Sequence, residues 1–577
     1  MRDGVVLRAE VMRPETGGPF PTLVYRTPYG KTQAETSYTT FRHAVERGYA
    51  VVIEDVRGRY ASDGEFNAYF TEGQDGYDTI EWAAKQTWSN GAVGTFGLSY
   101  PGAVQWLAAV ERPPHLRAMA PAMTYSTPRY FFYSGGAFDL SWPEWILTNI
   151  AADVREKKGM AGPRTREAAK EAYERDAARI VSFLPLSGLP DLHDVAPWYY
   201  TWLRHPPNDA WWDWAEIRGK YADTKAGVLN LSGWYDEDYG PEGATTNFNG
   251  LLAARKGETD PRTALVIGPW VHGVGATAHT KSGEREFGPD AAIDYDDLVL
   301  GWLDLQLKND MSGWKLQKPV RYFMMGENAW READTWPPPS HAVTYFLSGP
   351  AEGATRGSVG PNRTHGAAII SFLSDPAHPF TDPYGDAPGA HDYQKIQSRG
   401  QGQNSLVYDS AALETDLDVA GRVSAEIYIS CDAPDADIWV RLYDVAPDGT
   451  SFNLMSPGLD VQRASLRSGT TRQLLDPGKP YRISIPNLPT ANRFPAGHRL
   501  RVQISGEFFP HFSRNLHTGE PDADSAAMRT ATITILHDAA HPSRIVLPVT
   551  NWTPPANPDR GGKPTVRRDV PPGGRER

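Results

Sequence analysis

Residues Val93-Gly94-Thr95-Phe96-Gly97-Leu98-Ser99-Tyr100-Pro101-Gly102 place a serine between a short apolar run and a helix-forming stretch, Ala103 to Val110. Small residues flank the serine because the turn is tight enough for bulky neighbours to clash. Such a turn throws the hydroxyl out above the sheet edge, which makes Ser99 a candidate covalent nucleophile. The second glycine stands at 102, after a proline, one place later than in G-x-S-x-G. Proline is tolerated there because the first helical turn has no intrahelical partner for the missing amide.

A serine hydroxyl needs a base, and the base needs an orienting carboxylate. Two later apolar runs, Gly227 to Gly233 and Thr263 to Gly268, read as buried strands. The first leads into Trp234-Tyr235-Asp236-Glu237-Asp238, the second into Pro269-Trp270-Val271-His272-Gly273. An α/β sheet puts its chemistry on such carboxyl-end loops. His272 would accept the Ser99 proton and Asp236 would fix its tautomer. The amide of Tyr100, next to the nucleophile, would serve as one oxyanion donor. The loop Arg26-Thr27-Pro28-Tyr29 is placed to supply a second through the Tyr29 hydroxyl, although a buried turn tyrosine reads equally well there. Glu237 and Asp238 fit a hard-cation ligand set less well than a role in tuning substrate charge, because no H-E-x-x-H or comparable ligand spacing accompanies them.

The elements that must position these groups follow an α/β texture as far as Thr124. Apolar strands near residues 4–12, 21–26, 49–54 and 116–121 alternate with helices near 38–47 and 73–85. The β-branched run Val51-Val52-Ile53 suits a parallel sheet covered on both faces. Residues 125–225 differ, with a charged helical stretch around 164–179 and many aromatics, Phe131, Trp142 and Trp145 among them. These read as a helical insertion whose rings mostly pack helix on helix, a few being available to line a pocket. The α/β texture returns from 226, with a helix near 296–307 and a strand near 320–325.

After Trp336-Pro337-Pro338-Pro339 the period becomes two. Many short strands joined by Pro/Gly/Asp turns indicate an all-β sandwich of about two hundred residues. The expected organisation is thus a split α/β domain (1–125 and 226–337), a helical cap insertion (126–225) and a C-terminal β-sandwich domain (338–577).

The totals agree with a globular enzyme. The chain has 577 residues, 40% hydrophobic and 22% charged, with a formal net charge of −12. No cluster of Lys and Arg is backed by stacking aromatics, so nucleic acid is not an expected partner. Cys431 is the sole cysteine, which excludes an internal disulfide and a cysteine metal cluster. The beginning of the chain lacks the apolar core of a secretory signal, and no run of eighteen apolar residues occurs, so a cytoplasmic location without membrane attachment is expected.

Several separated motifs, in register, resemble the cocaine esterase and X-prolyl dipeptidyl peptidase family. They are Arg26-Thr27-Pro28-Tyr29, Asp55-Val56-Arg57-Gly58, Gly97 to Gly102, Gly233 to Asp236, Gly268 to His272, Phe287-Gly288-Pro289, Trp302-Leu303-Asp304, Asp444 to Gly449 and Pro495 to Leu500. The resemblance implies an α/β-hydrolase core, a helical cap and a jelly roll of galactose-binding type. By motif match it assigns Ser99 as nucleophile, Asp236 as acid, His272 as base, and Tyr29 with the Tyr100 amide as the oxyanion hole. No cofactor or metal is implied, and the partner is a small ester or amide substrate, with homo-oligomerisation left open.

Members of such a family hydrolyse carboxylic esters, α-amino acid esters and β-lactam side chains, or X-Pro dipeptides. A broad carboxylesterase ranks first, with Trp142, Trp145 and Phe131 facing the acyl group. An amino-acid ester hydrolase or β-lactam acylase ranks second, with Glu237 and Asp238 facing an ammonium. A dipeptidyl peptidase ranks third. A carbohydrate-binding role for the sandwich is the non-enzymatic alternative, and it would leave the serine and histidine without a use.

Overall fold

The computed structural model describes all residues except Asp238, 256–261, 364–365, 382–388, 394–403, Pro457, Leu459, Thr470 and 551–577. Its N-terminal half is built on one nine-stranded sheet. In chain order the first strands are β1 (Arg8–Met12), β2 (Phe20–Thr27), β3 (Ala50–Asp55), β4 (Ser89–Leu98) and β5 (Leu116–Ala122). A small hairpin, β6 (Tyr133–Ser134) and β7 (Ala137–Phe138), lies outside the sheet. The sheet resumes with β8 (Gly227–Tyr235) and β9 (Thr263–Val271). A second outlying hairpin, β10 (Lys281–Ser282) and β11 (Arg285–Glu286), precedes its last strands, β12 (Val320–Met324) and β13 (Ala329–Ala333).

The strand order is β1-β3-β2-β4-β5-β8-β9-β12-β13, parallel from β3 to β12 and antiparallel at both edges. β3, β8 and most of β9 are buried along their whole length, as expected for strands covered by helices on both faces. The covering helices are α1 (Lys31–Ser37), α2 (Thr40–Glu46), α3 (Glu72–Ala84) and α4 (Tyr100–Val110), with two more after β8 and β9.

Between β5 and β8 the chain forms α5 (Ser141–Trp145), a π-helical turn (Ile146–Ile150), α6 (Ala151–Lys158), α7 (Arg166–Ser182) and α8 (Pro197–Arg204). The rings of Phe132, Trp142, Trp198, Trp202 and Trp212 pack on one another with centroid separations of 4.4–5.3 Å. After β8 and β9 come α9 (Tyr239–Ala254) and α10 (Tyr295–Lys308). The loop that carries Asp236 is short: α9 begins three residues beyond it.

Arg59 ties the core to this helical region. Its side chain is fully buried, and its guanidinium donates to the carbonyls of Pro28, Ile150 and Asn149 at 2.8, 2.8 and 3.1 Å. The π turn widens the helix and frees carbonyls that an ordinary helix would use internally. Arg59 thereby fixes the loop that carries Tyr29 against the helices.

From Ser340 to Thr550, twelve strands form one continuous sheet system among the described residues. Its longest pairing joins Leu417–Cys431 antiparallel to Tyr481–Phe494. Alternate side chains of these strands point into a core of Ile, Val and Leu. The β-rich domain touches both other parts: the Tyr235 hydroxyl donates to the Asn453 carbonyl at 2.8 Å, and the Leu140 amide to that of His511 at 2.8 Å. No helix of the described residues is long and apolar enough to cross a membrane.

Replacing Arg59 by methionine leaves three buried carbonyls and the Asp153 carboxylate without their cation. Arg59→Met is expected to lower the unfolding free energy by about 3 kcal/mol or more, read from urea titration. A change below about 0.5 kcal/mol would contradict the tie.

Candidate active site

Ser99 sits between β4 and α4 with φ 66° and ψ −126°, a left-handed conformation costing about 1–3 kcal/mol for a residue with a side chain. The Ser99 amide donates to Ala122 on the neighbouring strand at 3.1 Å, and the amides of Gly102 and Ala103 return to the Ser99 carbonyl. The displaced glycine has a direct cause. A Cβ at position 102 would lie 2.6 Å from the Ala122 carbonyl oxygen, so the helix can approach β5 only with glycine there.

Asp236 follows β8 and His272 follows β9, and these strands are neighbours. His272 Nδ1 and Asp236 Oδ1 are 2.6 Å apart. The carboxylate is fully buried and also accepts from the Ser232 hydroxyl at 2.7 Å and the Glu237 amide at 2.8 Å. Gly240 lets α9 cross close to it: a Cβ there would fall 1.7 Å from Asp236 Oδ2. With Nδ1 committed to Asp236, Nε2 is the nitrogen left for proton transfer. The Ser99 hydroxyl does not cap α4 and is not hydrogen-bonded to His272 in this structure, a contact that hydrolases can tighten when substrate is bound.

Burial lowers the affinity of His272 for a proton, but the Glu237 and Asp236 carboxylates outweigh it and raise its pKa to about 9. Burial acts on Asp236 in the opposite sense, pushing its pKa up against the pull of His272.

The two candidate oxyanion donors are held from two sides. The Tyr100 amide is at the start of α4, where helical amides lack an intrahelical acceptor. Its side chain is locked by a buried network: the Tyr100 hydroxyl donates to Glu72 at 2.7 Å, and Arg26 bridges Glu72 and Glu54 at 2.8 and 2.7 Å. Tyr29 lies on the loop after β2, shaped by Asp55, which accepts from the amides of Lys31 and Ala61. Burial raises the Tyr29 pKa to about 12, so its hydroxyl keeps its proton at neutral pH. Trp145 Nε1 donates to the Tyr29 oxygen at 3.0 Å, which leaves the phenolic hydrogen free to point elsewhere.

The three aromatic candidates occupy different environments. Trp145 is half-buried and stacks near Tyr100 and Tyr69, with centroids 6.1 and 6.4 Å apart. Phe131 and Trp142 are 3% and 5% exposed, enclosed by Tyr69, Tyr125, Phe132 and Trp202. Phe131 meets Tyr239 edge-on at 4.9 Å, and Tyr239 faces His272 at 6.3 Å. Glu237 is, with Asp236, one of the two carboxylates that raise the His272 pKa. Asp238 lies outside the described residues.

Sequence reasoning missed Asp139, whose buried carboxyl has its pKa raised by burial and by the nearby Glu237, and lowered by His511. Its neighbours in space are about 100 and 370 residues away in the chain, and no local pattern marks them. Among the described residues no group of three or more His, Cys, Asp or Glu could hold a metal ion.

With the neutral imidazole of His272 as the candidate base, kcat/KM is expected to rise with pH through about 9. Glu237→Gln removes the leading contribution that raises this pKa, so the rising limb should move to lower pH; an unmoved limb would refute the coupling. Tyr29→Phe should lower kcat by about 10²-fold, with KM changed much less.

Comparison with known proteins agrees across almost the whole chain. Residues 3–274 match the X-Pro dipeptidyl-peptidase (S15 family), and residues 312–546 match the X-Pro dipeptidyl-peptidase C-terminal non-catalytic domain. The chain is 33% identical to the cocaine esterase of Rhodococcus sp. (strain MB1 Bresler), over 95% of this chain and 97% of that one. Among solved structures, an aminopeptidase from a marine sediment Thaumarchaeota archaeon superposes with a TM-score of 0.77 at 24% identity, covering 95% of both chains. An α-amino acid ester hydrolase superposes with a TM-score of 0.75 at 22% identity, again covering 95% of both. The α/β core, the β-rich domain and these matches make the chain a member of the cocaine esterase and X-Pro dipeptidyl-peptidase family of serine hydrolases.

Proposed function

We propose that this enzyme hydrolyses carboxylic esters, and activated amides more slowly, through an acyl-enzyme on Ser99. The observation that carries this reading is the 2.6 Å contact between His272 and the buried Asp236, on the strand ends beyond the one that presents Ser99 in its strained turn. His272 Nε2 takes the Ser99 proton as the oxygen attacks the carbonyl. The Tyr29 hydroxyl and the Tyr100 amide receive the developing oxyanion. Collapse expels the alcohol or amine, which leaves with the proton from His272. A water activated by the same imidazole then attacks the acyl-enzyme and frees the acid and Ser99. The substrate is a small molecule, and no step calls for a cofactor.

A second reading is favoured by Glu237, whose carboxylate is among the charges that raise the His272 pKa. A carboxylate in a partly desolvated recess suits a substrate ammonium, since a buried positive charge needs a counter-charge. On this reading the preferred esters carry an α-amino group. It keeps the same triad and changes only the acyl side.

Initial rates on p-nitrophenyl butyrate, phenyl benzoate, phenylglycine methyl ester, cephalexin and Gly-Pro-p-nitroanilide separate these readings. Turnover should fall by about 10³-fold or more in Ser99→Ala, and activity retained in that variant would exclude the mechanism. Cleavage confined to the uncharged esters supports the broad esterase. A preference for phenylglycine methyl ester and cephalexin that is lost in Glu237→Gln supports the amino-ester reading.

A further inference from the structure

Residues 507–517 follow the strand Arg499–Ser505 and carry contacts from the β-rich domain to the inserted helical region. The amides of Leu140 and Ser513 donate to the carbonyls of His511 and Phe138, each at 2.8 Å. The Phe138 amide donates in turn to the Ser513 hydroxyl at 2.8 Å, and Arg514 donates to the carbonyl of Ser182, at the end of α7, at 3.0 Å. The strand held in this way, β7, leads into α5 and so to Trp145.

The two ends of this segment meet at one hydroxyl. Ser374, the last residue of the strand Ile369–Ser374, contacts Glu507 Oε1 and, at 2.7 Å, His517 Nε2. All three side chains are buried, none more than 2% exposed. A Cβ at Gly506 would fall 2.6 Å from Ser374 Oγ, so glycine is what lets the strand approach. On the far side of the ring, His517 Nδ1 meets the Asp435 carbonyl at 2.9 Å, and Glu507 Oε2 accepts from the Phe380 amide at 3.5 Å.

This relay of three contacts needs three protons. A carbonyl can only accept, so Nδ1 carries a hydrogen and Nε2 of the neutral ring can only accept. Ser374 then gives its single hydrogen to Nε2 and has none for Glu507. An ionised carboxylate would face the hydroxyl oxygen with no hydrogen between them, so the closed relay requires one further proton. Burial favours the neutral form of both end groups, which places that proton on Glu507 Oε1 and leaves His517 uncharged. Asp375 and Asp437 face Glu507, while Asp435 and Asp437 face His517. The nearby cations are committed elsewhere. Arg463 pairs with Asp437 and Asp522 at 2.8 and 2.6 Å, Arg441 with Asp460 at 3.3 Å, and Arg514 donates to the carbonyls of Pro376 and Ser182.

We propose that this proton works as a clasp: the protonated Glu507–Ser374–His517 relay holds residues 507–517 against β7 and α7, and loss of the proton loosens that docking. The Glu507 pKa rises from 4.5 to about 7. A group whose pKa is raised in the closed state stabilises that state fully below about 4.5, and the contribution is lost as pH rises through about 7.

Hydrogen-exchange mass spectrometry of the whole chain, corrected for the intrinsic pH dependence of exchange, reads the docking in peptides that contain Leu140 and Ser513. In the wild type their protection should fall at least about tenfold from pH 5 to pH 8. The infrared difference between wild type and Glu507→Gln should contain a carboxylic-acid C=O stretch at pH 5 that is gone at pH 8. The glutamine amide can donate where the acid proton did, so Glu507→Gln should keep its protection at pH 8. Ser374→Ala removes the relay, and with its fold verified by circular dichroism its protection at pH 5 should already be as low as that of the wild type at pH 8. The proposal is overturned if the acid band is absent at pH 5, if wild-type protection does not change between the two pH values, if Glu507→Gln keeps the wild-type pH dependence, or if folded Ser374→Ala is protected like the wild type at pH 5.

Discussion

The arrangement of the site depends on one buried anion. The Asp236 carboxylate has no access to water, and a charge so placed is tolerable only when donors surround it. His272, Ser232 and the Glu237 amide supply them, and each comes from an element fixed for that purpose. The parallel pairing of β8 with β9 brings Asp236 and His272 to adjacent strand ends. The start of α9 packs so tightly over the carboxylate that only glycine fits at 240. The imidazole is therefore oriented by the sheet itself, and its orientation does not rely on a mobile loop.

The same dependence explains what could be read from the sequence. Ser99, Asp236 and His272 are legible because each follows an apolar strand, and because their order along the chain matches the order of those strands in a parallel sheet. The elbow glycine and its displacement to 102 were legible as a motif, but the cause was not, since it is the Ala122 carbonyl on another strand. The strand-end loop that carries Asp236 is short, because α9 begins at Tyr239 and its first turn is buried in spite of weak local propensity.

Charged residues that act at a distance were the least legible. Glu72 fixes Tyr100 and Arg59 fixes the Tyr29 loop, but each has its partners across 28 to about 90 residues of sequence. Buried charges follow three-dimensional proximity, which hydrophobic period does not report. The aromatics show the converse limit. Composition marks an aromatic-rich region but cannot tell Phe131 and Trp142, enclosed among other rings, from Trp145, which reaches a catalytic candidate.

The hydrogen bond from Trp145 to Tyr29 crosses between the helical region and the sheet core. In a modular enzyme the part that selects substrate can diverge while the part that performs the reaction stays constant. Here a helix of the inserted region supplies a group that orients a residue of the core. Exchange of this region between relatives would therefore change turnover together with selectivity, and the two parts must drift through sequence space as a pair.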